Sequence, residues 1–533
     1  MRIFAVVLLL AVGAQAQQQP RDVHPGDVHP GDVHTRDGEI HDADTLAWWH
    51  TTEALSGDDM EGRDTGSAAY QRAADYVVGR FRAAGLQPAG DGGTYFQSVA
   101  VHEVAVDASG SSFVVERAAG GELPLEFLQQ ITLTPAAGMR EDVEAPLTFR
   151  GYCGQDAMKD VAGKIVVCFA SQREGMPSAA ERTANARAGD ALGVLNVDDP
   201  YFTIEPPRWP AAYARTVALG GGSAGPAKPL LVMRLKSDLL ASVIEGSGKD
   251  AAAILAAGGH KQPLASFDIP AKMRVKLHVT ERGYSSPNVL ALLPGSDQAL
   301  KDQVVVIAAH LDGYGFGTPV RGDNLYNGAL DDAAYVALLI QFADDVKAGR
   351  LAAPKRSVLL CAFMGEEKGL LGSNYFVEHP TLPVPRLVAD INLDQLRPLF
   401  PLTILTAEAI DDTTLGDTAR AVGAGMGIAL RPDMEPERGL LRRADQYPFL
   451  RLGVPAISFV FGFDPSTDAE RRYREWYNVR YHRPQDDLTQ PMDFDAAAKF
   501  DQFFYKLTEA VANSAVRPEF KAGSSFAAKS KGD

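Results

Sequence analysis

The chain has 533 residues, 46% of them hydrophobic, and a formal net charge of -16. That length exceeds one ordinary hydrophobic core and predicts two or three domains. An acidic chain without a strong basic block excludes a general nucleic-acid surface; three cysteines, Cys153, Cys168 and Cys361, exclude a disulfide scaffold.

The opening MRIFAVVLLLAVGAQAQ has Arg2, an apolar run from Ile3 to Val12 and Ala14-Gln15-Ala16 as a small-x-small cleavage motif. Residues 1–16 therefore read as a signal peptide, which predicts export to a periplasmic or secreted location. The run is too short to span a membrane, and no later run of 18 or more apolar residues follows, so no membrane anchor is expected. Residues 17–41 read as a low-complexity linker, in which RDVHPGDVHPGDVHTRDG spaces His24, His29 and His34 evenly. Such tracts can bind metal weakly, while Pro25, Gly26, Pro30 and Gly31 oppose a packed element.

Order is expected from residue 42. DADTLAWWHTTEALSG is helix-like, DMEGRDTGS is turn-rich, and AYQRAADYVVGRFRAAG is an amphipathic helix ending at Gly85. From about residue 97 short strand patterns take over, among them VHEVAVDAS, SFVVERA, LTFRGYC and GKIVVCFA. Residues 121–270 read as an inserted β-rich domain, a lid or spacer, with no recognisable ligand spacing. Cys153 and Cys168 could pair there in an oxidising compartment; Cys361 reads as a small buried hydrophobe.

From Pro287 near-continuous apolar strands alternate with helices: KDQVVVIAAH, NGALDDAAYVALLIQFADDV, KRSVLLCAFMGEE, PRLVADINLD and VPAISFVFG. The fold class expected is α/β, a central mixed, mostly parallel sheet with helices on both faces, plus the inserted β-rich domain. Residues 42–120 and 271–515 would form the main domain and 516–533 a flexible tail. Ligands of such sheets bind beyond the carboxyl ends of the strands. The polar residues fall there: His310 and Asp312 in AAHLDG, Asp331 and Asp332 in NGALDDAAY, Glu366 and Glu367 in FMGEE, Asp394 in INLDQ and His482 in YHRPQDD. Imidazoles and carboxylates suit a pair of zinc-like ions with a bridging acid and an open position for water. Of two adjacent glutamates, one can hold a metal while the other takes the proton of the water.

The arrangement closely resembles the zinc-dependent exopeptidases of the M28 family, especially exported bacterial aminopeptidases with a protease-associated domain. The resemblance covers about residues 45 to 510 and is longest through AAHLDGYGFGTPVRGDNLYNGALDDAAY. It implies two zinc ions per chain: His310 and Asp394 as ligands of one, Glu367 and His482 of the other, with Asp331 bridging. It implies Glu366 as general base, Asp312 as a carboxylate orienting the His310 imidazole, and the 121–270 block as the protease-associated-like domain. The activity implied is aminopeptidase cleavage of peptide substrates. Leu330, Asp332 and Tyr335 depart from the family's usual residues around the bridging aspartate, Gly313 stands where histidine is common, and Arg443-Ala444-Asp445-Gln446 replaces an Arg-Ser-Asp-His pattern. The other readings are a carboxypeptidase or dipeptidase, for which Arg321 or Arg443 would bind the substrate carboxylate, a glutaminyl-cyclase-like enzyme with a single zinc, and a binding protein without catalysis.

Overall fold

The computed structural model describes residues 34–220, 229–394 and 396–527. The signal-peptide reading of residues 1–16, and His24 and His29 of the repeat, lie outside the described residues. The strand Val304–His310 shows how the main sheet is built, since all of its residues are buried. Val305, Ile307 and Ala309 pack into one apolar cluster with Trp48, Phe81, Leu338 and Phe503. Val304, Val306 and Ala308 pack into another with Phe376 and Phe449. Side chains of a strand alternate between faces, so the unbroken apolar run reflects helices on both: Ala43–Ser56, Ala68–Ala83, Ala334–Ala348 and Phe494–Asn513 on the first, Leu371–Glu378 and Gln446–Leu452 on the second.

Across the sheet the order is Ala429–Arg431, Ile404–Glu408, Ala456–Phe461, Leu387–Asn392, Val304–His310, Ser357–Phe363, Val279–Leu293, Phe96–Val106 and Arg215–Leu219. The centre is parallel: Val304–His310 pairs in parallel with both Ser357–Phe363 and Leu387–Asn392, and the latter with Ala456–Phe461. Flanking pairs from Val279–Leu293 outward are antiparallel. His310 lies opposite Phe363, and Ala308 opposite Asn392. The loops carrying Asp312, Glu366 and Asp394 therefore leave one edge of the sheet together.

A second, eight-stranded sheet has its own apolar core, including Phe113, Leu147, Val167, Phe169, Leu195 and Met233. Its strands run from Ser112 to Lys276, wider than 121–270, because Ser112–Arg117 pairs with Phe267–Lys276 rather than with the main sheet. Arg215–Leu219, in the middle of this stretch, crosses back and pairs with Phe96–Val106. Cys153 and Cys168 form a disulfide, and Cys361 is buried and free.

Two further boundaries differ from the sequence reading. Residues 34–41 read as linker by composition, yet Arg36 donates to the Gln490 carbonyl at 2.7 Å and stacks 4.8 Å over Phe494. Of the tail assigned to 516–533, the described part is docked: Thr414 N–H donates to the Glu519 carbonyl at 2.9 Å, and Phe520 and Phe526 pack on the second-face cluster. In both places a few aromatic or cationic contacts outweigh a locally unstructured composition. Among the described residues no helix is long and apolar enough to cross a membrane.

Candidate metal centre

Gly365 adopts φ 67°, in the left-handed region that glycine enters without strain. This bend ends the Ser357–Phe363 strand and turns the next two residues into the same buried space by different routes. Glu366 Oε2 lies 4.0 Å from His310 Nε2, whereas Glu367 Oε2 lies 3.2 Å from His482 Nε2. Asp331, just before the Ala334–Ala348 helix, stands between the two imidazoles: Oδ1 is 3.2 Å from His310 Nε2 and Oδ2 is 3.3 Å from His482 Nε2.

Two ligand sets result. Donor atoms of His310, Asp331 and Asp394 lie within 4.8 Å of one another, as do those of Asp331, Glu367 and His482. Asp331 belongs to both. Ligands about 2.0–2.2 Å from a tetrahedral zinc ion are about 3.3 Å apart, close to the imidazole–carboxylate spacings here. Asp394 Oδ1 and Asp331 Oδ2 are buried with no hydrogen-bonding partner among the described residues. Buried carboxylate oxygens left unpaired are costly unless a cation meets them, so the donor set fits divalent metal.

Electrostatics point the same way. Burial, reinforced by Asp394 and Glu367, pushes the Glu366 carboxyl well above its ordinary range. Glu367 is likewise raised by burial and by Asp331, and Asp394 is pushed up to about 6 by burial and Asp331. Burial alone would lower His310, but Asp332, Asp331, Glu366 and Asp394 outweigh it and raise the imidazole. His482 is instead pulled down to about 3, first by burial and then by Arg208 and Arg443, against the pull of Asp331. Bound cations invert this local logic and let the acids ionise.

The surrounding shell departs from the sequence reading in one respect. Asp312 was expected to place its carboxylate on the His310 imidazole, but Nδ1 meets the Asp312 backbone oxygen at 3.0 Å and its Oδ1 only at 3.8 Å. The carboxylate instead accepts from Glu366 N–H at 3.0 Å and from the Thr65 hydroxyl at 2.9 Å. The loop turns Asp312 toward the glutamate strand, so it positions Glu366 through the backbone. Gly313 has a steric reason: an added Cβ would lie 2.7 Å from the Gly62 carbonyl oxygen. Tyr335 is buried beneath the site, donating to the Leu396 carbonyl at 2.8 Å. Asp332 Oδ2 accepts from His310 N–H at 3.1 Å. In the Arg443-Ala444-Asp445-Gln446 stretch, Asp445 accepts from Ser373, burial pushes its carboxyl up to about 7, and Gln446 bonds Asn392 at 3.3 Å.

Several residues were missed. Asp486 accepts from the N–H groups of Leu330 and Asp331, each at 3.0 Å, and so holds the shared aspartate's backbone; it lies within the quoted YHRPQDD, but only its fold partners reveal its role. Tyr314 OH is 2.9 Å from His482 Nδ1, orienting the ring by its second nitrogen. Arg63, fully buried, donates to the carbonyls of Leu55, Leu311, Asn327 and Gly328 at 2.7–2.9 Å, tying the loops around the site together. Lys368 donates to the Gly313 carbonyl at 2.9 Å and lies 3.4 Å from Asp64 Oδ1.

The second sheet's loop before Arg215 reaches this edge. Arg208 stacks 4.2 Å over Tyr481, itself stacked at 3.8 Å on His482, and Glu205 pairs with Arg443 at 2.5 Å. Arg321 sits exposed at the turn of the hairpin formed by Gly315–Val320 and Asp323–Tyr326.

The two-faced α/β sheet thus carries, at its carboxyl edge, paired imidazole–carboxylate sets whose donors fit divalent metal. Residues 288–508 match the model of peptidase family M28. It is 27% identical over 240 residues to a probable zinc metalloprotease of Pyrenophora tritici-repentis, covering 39% of this chain and 52% of that protein. It is 23% identical over 321 residues to leupeptin-inactivating enzyme 1 of Streptomyces exfoliatus, covering 58% and 68%. The chain thus spans about half the length of the fungal relative. Among solved structures, an aminopeptidase from Aneurinibacillus sp. strain AM-1 aligns with TM-score 0.58 at 18% identity over 88% of this chain and 94% of that one. BSAP, a zinc aminopeptidase from Bacillus subtilis, aligns with TM-score 0.56 at 17% identity over 89% and 96%.

Proposed function

We propose that the protein is an exported zinc-dependent aminopeptidase that releases residues from the amino end of peptides, using two zinc ions. The observation that carries this reading is the pair of ligand sets sharing Asp331, with Glu366 beside them and outside both. His310 and Asp394 would hold one ion, Glu367 and His482 the other. Zinc in these sets would polarise the scissile carbonyl and acidify the attacking water.

Glu366 takes the proton of that water at its carboxylate and passes it to the departing amine nitrogen. Its place beside the two ligand sets and outside both suits both halves of this transfer. Asp312 holds the Glu366 backbone, Tyr314 sets the His482 ring, and Asp486 holds the peptide of Asp331. The second sheet, read as a protease-associated-like inserted domain, sends its Glu205–Arg208 loop against Arg443 and Tyr481 and so restricts the approach of substrate. The relatives named zinc metalloprotease and aminopeptidase support the reading.

A second reading rests on Arg443. Its guanidinium is anchored by Glu205 and its field reaches Asp394, which suits a substrate carboxylate and hence a carboxypeptidase or dipeptidase. Two ligand sets speak against the glutaminyl-cyclase-like reading, which needs one zinc. The test is amino-acid release from a panel of peptides blocked at either end. Release from carboxyl-blocked but not amino-blocked peptides is expected; the opposite pattern would assign the second reading, and no release from any peptide would remove the peptidase reading altogether.

A further inference from the structure

Among the described residues, a cluster of metal-ligating side chains lies apart from the site just described, on the Ala43–Ser56 helix and the residues before it. We propose that His34, Asp37, His50 and Glu53 form a peripheral site for one divalent transition-metal ion of the zinc type. Donor atoms of His34, His50 and Glu53 lie within 4.8 Å of one another. Asp37 Oδ1 is the fourth donor at the same opening, 2.8 Å from His50 Nε2 and 4.0 Å from His34 Nδ1.

The local structure presets these groups. His50 and Glu53 are three residues apart on the Ala43–Ser56 helix and so share a face. His34 is brought to them by its backbone N–H, which donates to Glu53 Oε1 at 3.0 Å, and the two imidazole rings meet with centroids 4.0 Å apart. The Glu53 side chain is only 3% exposed, and its Oε2 is buried with no hydrogen-bonding partner among the described residues. Yet His34 Nδ1 is only 2.9 Å from that oxygen. Two donor atoms this close, outside hydrogen-bond geometry, stand like neighbouring corners of a coordination shell, where the spacing is about 3.3 Å. Arg36, the cation of this segment, is turned away to Glu39 at 2.7 Å and to the Gln490 carbonyl at 2.7 Å, so it does not neutralise Glu53.

Two imidazoles with two carboxylates suit zinc, nickel or copper rather than calcium or magnesium. The site would clamp residue 34 onto a helix whose Trp48 indole donates to the Ala334 carbonyl at 2.6 Å, fastening the entry of the chain to the main domain. It leaves the catalytic ligands untouched.

The test uses the full chain, stripped with chelator, reloaded with zinc chloride, desalted and analysed for metal. Wild type retains one equivalent more than His50→Gln/Glu53→Gln, and His34→Gln, a change at a half-exposed position outside the helix, gives the same loss. Peptide hydrolysis stays at the wild-type rate in all of these variants. Cobalt(II) loading adds a second readout, because the visible absorption of the extra equivalent disappears with the same substitutions. Equal metal content in wild type and His34→Gln would leave a plain ion-pair cluster and overturn the proposal. It would also be overturned if His24→Gln/His29→Gln abolished the extra equivalent, since binding would then belong to the repeat. The loss is one equivalent whatever the catalytic sets hold, so this failure is separate from failure of the di-zinc reading.

Discussion

Asp486→Asn isolates what holds the shared aspartate in place. In the native chain Oδ1 accepts from Leu330 N–H at 3.0 Å and from Gln490 Nε2 at 2.8 Å, while Oδ2 accepts from Asp331 N–H at 3.0 Å. Asparagine keeps the shape, and its oxygen can serve the first two donors. Its amide nitrogen then faces the Asp331 N–H, donor against donor. A buried donor left unsatisfied costs about 1–3 kcal/mol, and Asp331 is freed to shift where both ligand sets depend on it. Loss of a partner that supports metal ligands typically costs about 10–100-fold in metal affinity or activity. The expected result is a folded protein, destabilised by about 1–3 kcal/mol in urea titration, with zinc affinity and peptide turnover each down by about one to two orders of magnitude. Wild-type zinc affinity and turnover in a variant that shows the full stability loss would refute the assignment of Asp486 to positioning Asp331.

Glu366→Gln should retain metal while turnover falls by at least the roughly 10²- to 10⁴-fold of general base catalysis, whereas Glu367→Gln should lose affinity for one ion as well; elemental analysis beside a hydrolysis assay checks both, and the reverse pattern would exchange their roles. In the metal-free protein, burial raises Asp394 to about 6 and Asp445 and Asp486 to about 7. Such groups bind more protons folded than unfolded, so their contribution is full below the unfolded carboxylate range and is lost as pH rises through 6 to 7. Thermal unfolding in chelator should therefore show a lower midpoint at pH 8 than at pH 5.5, and added zinc should remove the difference; a midpoint that rises with pH in chelator would contradict it. The Cys153–Cys168 bridge closes a loop with sequence separation 15, worth about 3 kcal/mol by chain entropy; Cys153→Ala/Cys168→Ala should unfold earlier in urea by that amount.

Much of the architecture is written in local patterns. Fully apolar stretches such as VVVIAAH and SVLLCAF mean strands covered on both faces, because only burial on two sides removes the need for alternation. Polar residues that end such strands must lie at one sheet edge, which is why His310, Glu366, Glu367 and Asp394 could be read as one site. Asp331 before a helix and His482 in YHRPQDD were legible as further members of that edge, though their roles as bridge and ligand came only through resemblance to known motifs. What the chain order could not carry is which distant groups meet. Asp312 sits two residues from His310, yet its carboxylate serves Glu366, because the loop's exit direction is set by packing against Thr65 and Lys368. The contacts of Asp486, Tyr314 and Arg63 join segments far apart in the chain, and no periodicity or cap announces them. The sequence named Cys153 and Cys168 as candidates to pair but left the pairing open, and packing decided it; nothing in the sequence announces the second sheet's loop lying against Arg443. Local propensity sets what each segment is; side-chain partners across the fold are chosen by burial, since each polar group taken from water must find its counterpart wherever the packed elements bring one.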